Sequence, residues 1–330
     1  AGSQNWGIIQ NNHGLLFFAN NDGLLSYDGQ EWQLRQVPNY TIIRSICHYN
    51  ERIYVGAEGE FGYFSPDQQG ILAYHSLLDQ LPEPMIQQVG DVWDIQALNG
   101  KVFFRTTNQL LVWDERSIQI VPFPKASNFM GVGPNETIVL QIGNRDFYLY
   151  EEGKLTPWKN WDLIQSPVSQ LIQTQEGRWM FLTLKDGVFE LANGELRAWS
   201  HPWNETLKKD WINDGCQLRD GRMAFGTLFG GLLLIDPKTK EAQRLNKEKG
   251  LQKNNVLSLF QDLSGDLWIG TDRGIDYLQI SSPFHLLQPD TKQQAAGYAV
   301  AKHDNTLFLG TSNGIYTQMN AEAPFRLLPR

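Results

Sequence analysis

Short apolar strands alternate with polar turns along the whole chain, and one arrangement of them recurs at intervals of about 40 residues. Its clearest copy is Asp266-Leu-Trp-Ile-Gly-Thr-Asp-Arg-Gly-Ile-Asp-Tyr277, an apolar strand, a small-residue turn and a second strand. The apolar runs are rich in Val, Ile, Phe, Tyr and Trp and are bounded by Gly, Asn and Asp, as β-strands are. A repeat of roughly 40 to 45 residues built from such strands predicts a four-stranded propeller blade.

Eight copies of this repeat cover the sequence. The residues aligned with Gly270 are Ala19, Gly56, Arg105, Gln141, Thr183, Gly226 and Gly310. The tight turn that follows favours a glycine at the position of Gly274, because glycine adopts positive φ without strain. That position is aligned with Gly23, Gly187, Gly230 and Gly314, and with Glu60, Gln109 and Arg145 in the remaining copies.

The predicted fold class is therefore all-β, a β-propeller of four-stranded antiparallel blades, with residues 1–330 forming a single propeller domain. The blades are predicted at residues 5–36, 41–75, 92–123, 127–158, 169–199, 211–245, 255–287 and 297–328. Eight repeats are compatible with two arrangements. One is an eight-bladed ring, and the other is a seven-bladed ring followed by the first blade of a second propeller.

Composition narrows the classes of function. The formal net charge of −8 argues against a nucleic-acid surface, which needs clustered Lys and Arg. No apolar run approaches the 18 or more residues of a membrane span, so this segment is not expected to insert into a membrane. Cys47 and Cys216 fall in the innermost strands of the second and sixth copies, which places them too far apart for a disulfide.

Motifs for catalysis or cofactor binding are missing from the sequence. It contains no Cys-x-x-Cys, His-Glu-x-x-His or Gly-x-Ser-x-Gly motif and no phosphate-binding glycine loop. The six histidines are scattered without the spacing of metal ligands. We therefore expect no enzyme activity, no catalytic residue, no metal site and no cofactor. A propeller enzyme, such as a lyase or glycosidase, remains the least favoured alternative.

The seventh copy carries a resemblance to a known family. Residues 250–277, which begin Gly-Leu and continue through Asn254-x-Val256 and Leu267-Trp-Ile-Gly-Thr271 to Tyr277, resemble the two-component regulator propeller repeat. Weaker copies at 307–316 and 17–29 extend this resemblance over essentially the whole chain. The family forms the ligand-binding sensor domain of Bacteroidetes hybrid two-component or helix-turn-helix regulators.

The resemblance implies a function as well as a fold. It implies a non-catalytic, periplasmic sensor module of a membrane-anchored regulator, which binds a glycan breakdown product or another small polar ligand. It also implies a homodimer in the intact receptor and a kinase or DNA-binding output outside this chain. The alternative within the same fold is a scaffold that makes only protein contacts.

Candidate binding residues lie in the turns between second and third strands, where the copies differ. Loops of this kind vary while strands repeat, and they gather on one face of a propeller together with the connectors between blades. The turn candidates are Asn21, Asp22, Glu58, Asn108, Asn144, Arg145, Lys185, Asp186, Phe229, Asp272, Arg273 and Asn313. Amides and mixed charges suit a polyhydroxylated ligand, although Asn and Asp are also the residues that tight turns select.

Three tryptophans complete the candidate site. Trp161, Trp203 and Trp211 lie in or beside the irregular connectors at 159–167 and 200–210. An indole outside the repeat can stack on a sugar ring, and the alternative is that it caps the core. Trp32, Trp158 and Trp199 end their blades at one repeating place, so they are predicted to pack against the outer strands.

Overall fold

Strand pairing confirms the predicted fold class. The computed structural model describes residues 2–280, 282, 289, 295–320 and 323–329. In this part of the chain the strands form eight sheets, and within each sheet strands that follow one another in sequence pair antiparallel. Seven sheets have four strands and the seventh in sequence has three. The fourth strand predicted for it, at 284–287, lies outside the described residues.

The first four sheets contain sixteen strands. Sheet 1 comprises β1 (Asn5–Gln10), β2 (Leu16–Asn20), β3 (Gly23–Tyr27) and β4 (Trp32–Arg35). Sheet 2 comprises β5 (Ile43–Tyr49), β6 (Arg52–Ala57), β7 (Phe61–Pro66) and β8 (Leu72–Ser76). Sheet 3 comprises β9 (Val92–Leu98), β10 (Lys101–Thr106), β11 (Gln109–Trp113) and β12 (Ile118–Pro122). Sheet 4 comprises β13 (Ser127–Gly133), β14 (Thr137–Ile142), β15 (Asp146–Glu151) and β16 (Lys154–Asn160).

The last four sheets contain fifteen strands. Sheet 5 comprises β17 (Val168–Gln173), β18 (Trp179–Thr183), β19 (Gly187–Ala192) and β20 (Glu195–Ala198). Sheet 6 comprises β21 (Ile212–Gln217), β22 (Met223–Thr227), β23 (Leu232–Ile235) and β24 (Ala242–Leu245). Sheet 7 comprises β25 (Val256–Gln261), β26 (Leu267–Thr271) and β27 (Gly274–Leu278). Sheet 8 comprises β28 (Gly297–His303), β29 (Thr306–Thr311), β30 (Gly314–Gln318) and β31 (Arg326–Leu327).

The helices of the described residues lie between or at the edges of sheets. Two short α-helices, α1 (Glu83–Ile86) and α2 (Asn204–Asp210), belong to the connectors that follow sheets 2 and 5. The 3₁₀ turns are Leu78–Gln80, Pro134–Glu136 and Lys247–Lys249. No helix in the described part of the chain is long and apolar enough to cross a membrane.

The chain divides into two compact units, whereas the sequence predicts a single propeller domain over 1–330. The first unit is Ala1–Ile280 and contains sheets 1 to 7, and the second is Ser281–Arg330 and contains sheet 8. Within the first unit the seven innermost strands contact one another in sequence order, and β25 then contacts β1. The physical reason for the division is that the ring already closes with seven sheets. Of the two predicted arrangements, the first unit therefore corresponds to the seven-bladed ring.

Hydrogen bonds join the ends of the first unit at this closure. Gly274 N donates to Ser3 O at 2.7 Å, and Asn5 Nδ2 donates to Gly274 O at 3.1 Å. The hydroxyl of Ser258 donates to Asn5 O at 3.0 Å. Among the described residues, these hydrogen bonds join the two ends of the seven-sheet sequence and close the ring.

The core of the first unit lies between sheets rather than within one of them. Each pair of neighbouring sheets encloses its own apolar cluster, and a seventh cluster lies between sheets 7 and 1. In that last cluster the rings of Phe18 and Trp268 lie 5.8 Å apart, edge to face. A core divided over seven interfaces is how a chain of this length buries its apolar residues without one oversized centre.

A threonine at the end of the second strand organises the tight turn of five sheets. The hydroxyl of Thr271 donates to Gly274 O at 3.1 Å and accepts from Arg273 N at 3.2 Å. Equivalent pairs of bonds are made by Thr106, Thr183, Thr227 and Thr311. The side chain therefore replaces backbone partners that the short turn leaves open.

Hydrogen bonds of this threonine and the strand pairing correct three positions of the sequence alignment. Gly270 pairs with Ser258 of the innermost strand in sheet 7. In sheet 5 the residue at the same pairing position is Leu182, not Thr183. In sheet 6 the Thr227 hydroxyl donates to the carbonyl oxygen of Gly231, at φ 82°, so Gly231 rather than Gly230 is the turn glycine. In sheet 4 the strand pairing puts Asp146, not Arg145, at the position of Gly274. The physical reason is that turns of different length follow a constant strand end.

Both cysteines lie in innermost strands, β5 and β21, as the sequence predicts. Neither forms a disulfide. Burial raises the pKa of the Cys47 thiol to about 11, and burial together with the nearby Asp214 carboxylate raises that of Cys216 to about 12. Both thiols therefore stay protonated at neutral pH and are poor nucleophiles.

Substituting Asn5 tests the closure of the ring. Asn5 is buried, bonds Gly274 O, and accepts from Asn20 Nδ2 at 2.9 Å. We expect Asn5→Ala to lower the free energy of unfolding by about 2 kcal/mol, because it leaves buried partners unsatisfied. Urea denaturation measures this loss, and the control is Asn12→Ala, whose amide bonds Glu51 on the surface. Equal losses in the two variants would contradict closure through Asn5.

Candidate functional site

One end of the seven-sheet ring carries most of the candidate residues. We call it the loop face, and it consists of the turns between second and third strands together with the connectors that lead from each sheet to the next. The tip of a turn can contact a connector here. For example, Glu58 N donates to Ile42 O at 3.3 Å, and Glu58 forms an isolated β-bridge with Asp91. Hydrogen bonds between turns and connectors therefore hold the loops of this face together.

The side chains of three turn candidates form hydrogen bonds that hold the turns in place. Asn21 Oδ1 accepts from Trp6 Nε1 at 2.8 Å, and Asn144 Oδ1 accepts from Asn128 Nδ2 at 3.0 Å. Asp186 Oδ2 accepts from the backbone N of two connector residues, Gln165 and Ser166, at 2.7 Å each. For these three residues the structural role that tight turns demand is visible in the contacts.

The remaining polar candidates lie at the tips of their turns. Five have exposed side chains: Asp22, Glu58, Asn108, Arg145 and Arg273. Asp272 is half-buried, and its Oδ1 has no hydrogen-bond partner among the described residues. Asn313 belongs to the second unit, where Ser312 Oγ donates to its Oδ1 at 3.4 Å.

Two of the three tryptophan candidates pack against the core. Trp161 is buried, and its ring lies 5.1 Å from each of Phe147 and Phe181. Trp203 is half-buried beside the cluster between sheets 5 and 6, and its Nε1 donates to Lys240 O at 3.2 Å. Both contacts correspond to the core-capping alternative.

Three candidates from separate parts of the sequence meet at one place. Lys185 Nζ lies 4.0 Å from the centre of the Trp211 ring, and the ring of Phe229 lies 5.2 Å from it, edge to face. Phe229 is 58% exposed, Lys185 is exposed and Trp211 is half-buried. We call these three residues the Trp211 shelf. It presents an exposed phenyl ring and an indole with the Lys185 ammonium over its face.

The backbone beneath the shelf is held from several sides. Trp211 N donates to Leu207 O at 3.1 Å, Leu228 N donates to Trp211 O at 2.9 Å, and Phe229 N donates to Asp210 O at 3.1 Å. The Arg244 guanidinium pairs with Asp210 at 2.7 Å. These bonds fix the two aromatic residues relative to each other.

Trp211 itself adopts a strained conformation, with φ 59° and ψ 103°. Positive φ is uncommon for a bulky side chain and costs about 1 to 3 kcal/mol. Such outliers persist only where the surroundings impose them, and they concentrate at ligand sites. The strain therefore marks Trp211 among the candidates.

A second set of residues on this face was missed by the sequence analysis. Each innermost strand of the ring has a β-bulge whose extra residue is the second of the strand. The extra residues are Trp6, Arg44, Trp93, Asn128, Ser169, Asn213 and Leu257. We call them the mouth ring, because the innermost strands surround the axis and begin at the loop face.

The mouth ring had a signal in the sequence. Trp93 belongs to Val92-Trp-Asp94, a Trp-Asp pair that stands outside any WD40 frame. Aligning the copies on the start of the first strand, rather than on Gly270, would have shown a variable residue beside a constant apolar one. Bulges re-aim side chains next to functional sites, which gives this position a physical reason to vary.

Ionisable groups of the innermost strands serve the joints between sheets. Asp214 Oδ2 accepts from Leu259 N in sheet 7 at 2.7 Å, and Gln170 Nε2 in sheet 5 donates to Oδ1 at 3.3 Å. Burial raises the pKa of the Asp214 carboxyl to about 6, and the hydrogen bonds oppose that rise. Among the described residues no group of three or more His, Cys, Asp or Glu could hold a metal ion.

The raised pKa of Asp214 predicts a pH dependence of stability. Between about pH 4 and pH 6 the folded protein binds a proton that the unfolded chain has released, so stability falls as the pH rises through this window. We expect the unfolding free energy of the wild type minus that of Asp214→Asn to decrease from pH 4 to 6 and to level off above. Denaturation at five pH values measures it, and a difference that rises with pH would contradict the assignment.

Comparisons with known proteins agree on the fold. The structure resembles the extracellular domain of a regulator from B. thetaiotaomicron, named as a one-component system in one structure and as a hybrid two-component system in another. For the first of these the TM-score is 0.67 at 18% identity, over 98% of this chain and 46% of that one. The chain thus spans less than half the length of this neighbour.

Other solved structures show the same architecture with different names. A streptogramin B lyase has a TM-score of 0.67 at 14% identity, over 84% of this chain and 94% of the lyase. The WD40 propeller domain of Doa1 has a TM-score of 0.66 at 12% identity, over 85% and 94%. No family model matches the sequence, and no curated protein matches it. At these identities the likeness establishes the β-propeller fold alone.

Proposed function

We propose that this protein is a non-catalytic sensor module that binds a glycan, or another polyhydroxylated ligand, on its loop face. The observation that carries the proposal is the Trp211 shelf. An indole in a strained conformation, an exposed phenyl ring and a lysine meet there although they come from one connector and from the turns of two different sheets.

The chemistry of the shelf suits a sugar. Sugar rings present an apolar C–H face, which stacks on aromatic rings, and hydroxyl groups at their edges, which need hydrogen-bond partners. The Lys185 ammonium provides three donors over the face of the indole, and Asp186 is adjacent in the same turn. A site of this composition favours polar ligands with one flat apolar side.

The biological setting is proposed from the structural neighbours. The resemblance to an extracellular domain of a two-component regulator supports a location outside the cytoplasm, which in a Gram-negative bacterium is the periplasm. Binding at the loop face would then change the placement of this module relative to a homodimer partner or a membrane-proximal domain, and so bias the output.

A screen of glycans separates the proposed function from its alternatives. Isothermal calorimetry of the chain against mono- and oligosaccharides is expected to give saturable binding, and chromatography of the same mixtures is expected to recover each glycan unchanged. Conversion of a glycan into products would instead support a lyase or glycosidase. Absence of binding across the panel would favour a scaffold with protein partners.

A further inference from the structure

The mouth ring is the second feature of the loop face that has the composition of a binding site. Its seven side chains come from the same structural position in seven sheets, and their types differ around the ring. Residues that serve only the repeat stay alike from sheet to sheet. The side chains at the bulge position are expected to vary from sheet to sheet where they contact an asymmetric ligand.

One arc of the mouth ring is aromatic. The guanidinium carbon of Arg44 lies 4.7 Å from the ring centre of Trp6 and 4.9 Å from that of Trp93, so the cation is enclosed between two indoles. Asp91 Oδ1 pairs with Arg44 Nε at 3.0 Å and balances its charge. Trp93 is the exposed member of this stack, at 37%. The Arg44–Asp91 ion pair therefore packs against Trp93 and holds its ring in place.

Another arc of the mouth ring carries amides and a hydroxyl. Asn128 Nδ2 donates to Gly143 O at 2.8 Å, Ser169 Oγ donates to Leu182 O at 3.3 Å, and Asn213 Nδ2 donates to Leu257 O at 2.9 Å. All three side chains are half-buried. An amide can make up to four hydrogen bonds, so bonds to the backbone hold these groups in place and leave them able to bind hydroxyls.

The ring is continuous with the Trp211 shelf. Asn213 is two residues from Trp211, which limits the distance between their Cα atoms to about 7 Å. Sheet 3, which carries Trp93, is three sheets away from sheet 6 around a ring of seven. A ligand that rests on the shelf can therefore extend past Asn213 over the mouth towards Trp93.

We propose that the mouth ring is a binding subsite, in which Trp93 stacks on one ring of a glycan while Asn128, Ser169 and Asn213 bind its hydroxyls. The proposal rests on the proposed function and adds to it the residues that determine specificity. An apolar surface opposed to hydrogen-bonding groups matches the two kinds of surface that a sugar ring presents.

Trp93→Ala is the variant that tests this subsite, and Trp32→Ala is its matched control. Trp32 is 46% exposed and begins β4, after a turn on the opposite end of the ring. With the tightest glycan of the panel, calorimetry is expected to give about tenfold weaker binding for Trp93→Ala. Binding by Trp32→Ala is expected within about twofold of the wild type. Trp93→Leu, which keeps an apolar contact with Arg44, is measured if the alanine variant does not fold.

The outcomes distinguish the subsite from the proposed function. If Trp93 variants bind like Trp32→Ala while a Trp211 variant binds weakly, the subsite is refuted and the proposed function stands. If the wild type binds no glycan at all, both are overturned. A loss in Trp93→Ala, with circular dichroism and melting temperature close to those of Trp32→Ala, supports both.

Discussion

Replacing Arg105 by methionine is expected to lower the free energy of unfolding by about 3 kcal/mol. Arg105 is only 5% exposed, and its guanidinium Nε donates to the Asp94 carboxylate. Its Nη1 donates to Ser127 O in sheet 4 at 2.6 Å, and Asp94 Oδ2 also accepts from Met130 N of that sheet at 3.0 Å. Removing the cation leaves a half-buried carboxylate without its partner and weakens the joint between sheets 3 and 4.

Chemical denaturation of two arginine variants measures this effect against a control. Arg178 pairs on the surface with Glu176 at 2.5 Å and with Glu190 at 2.9 Å, so Arg178→Met is expected to cost less than about 1 kcal/mol. Adding Asp94→Asn to Arg105→Met should recover part of the loss, because the uncompensated charge is then removed. Equal losses for Arg105→Met and Arg178→Met would contradict the assignment of Arg105 to the joint.

Replacing Trp211 is expected to separate binding from stability. Both Trp211→Ala and Trp211→Gly remove the indole, so both should weaken glycan binding roughly 10- to 100-fold in calorimetry. Their stabilities should differ in an unusual direction. Glycine adopts φ 59° without a Cβ clash, so Trp211→Gly should be more stable than Trp211→Ala by about 1 kcal/mol.

Trp203 provides the matched control for this pair of variants. It precedes α2 and has φ −82° and ψ −6°, an ordinary helical conformation. There alanine should be more stable than glycine by up to about 1 kcal/mol, the reverse of the order at Trp211. The same order at both positions would show that Trp211 is not strained. Undiminished binding by both Trp211 variants would remove the shelf from the site.

The repeat made the fold predictable because strand, turn and strand are local patterns. The blade around Trp268 shows this, since β26 and β27 are the two strands of the repeat at 266–277. The closure of the ring was not predictable, because the bonds between Asn5, Ser258 and Gly274 join residues far apart in sequence. No local pattern reports such a contact.

The alignment errors have a common physical origin. Five sheets keep a threonine at the strand end, whereas the number of residues before the next strand varies. Alignment on small residues therefore selected Thr183 and Gly230, each one position away from the correct equivalents, which are Leu182 and Gly231. Hydrogen bonding, rather than residue size, defines the repeat there.

The candidate site was predicted in part. Sequence variation in the turns led to Lys185 and Phe229, and an indole outside the repeat led to Trp211. That these three residues meet depends on the packing of sheet 5 against sheet 6. The mouth ring was missed because a β-bulge inserts one residue without changing the apolar pattern on either side.

Hydrogen exchange of the wild-type chain with and without its tightest glycan tests the central claim most directly. The claim predicts that bound glycan slows exchange in peptides that cover residues 185–187, 211–213 and 229–231 on the loop face. Turns at the other end of the ring, at 11–14, 28–31 and 219–222, should exchange at unchanged rates. Protection confined to that opposite end, or to the outer strands, would contradict a ligand site on the loop face.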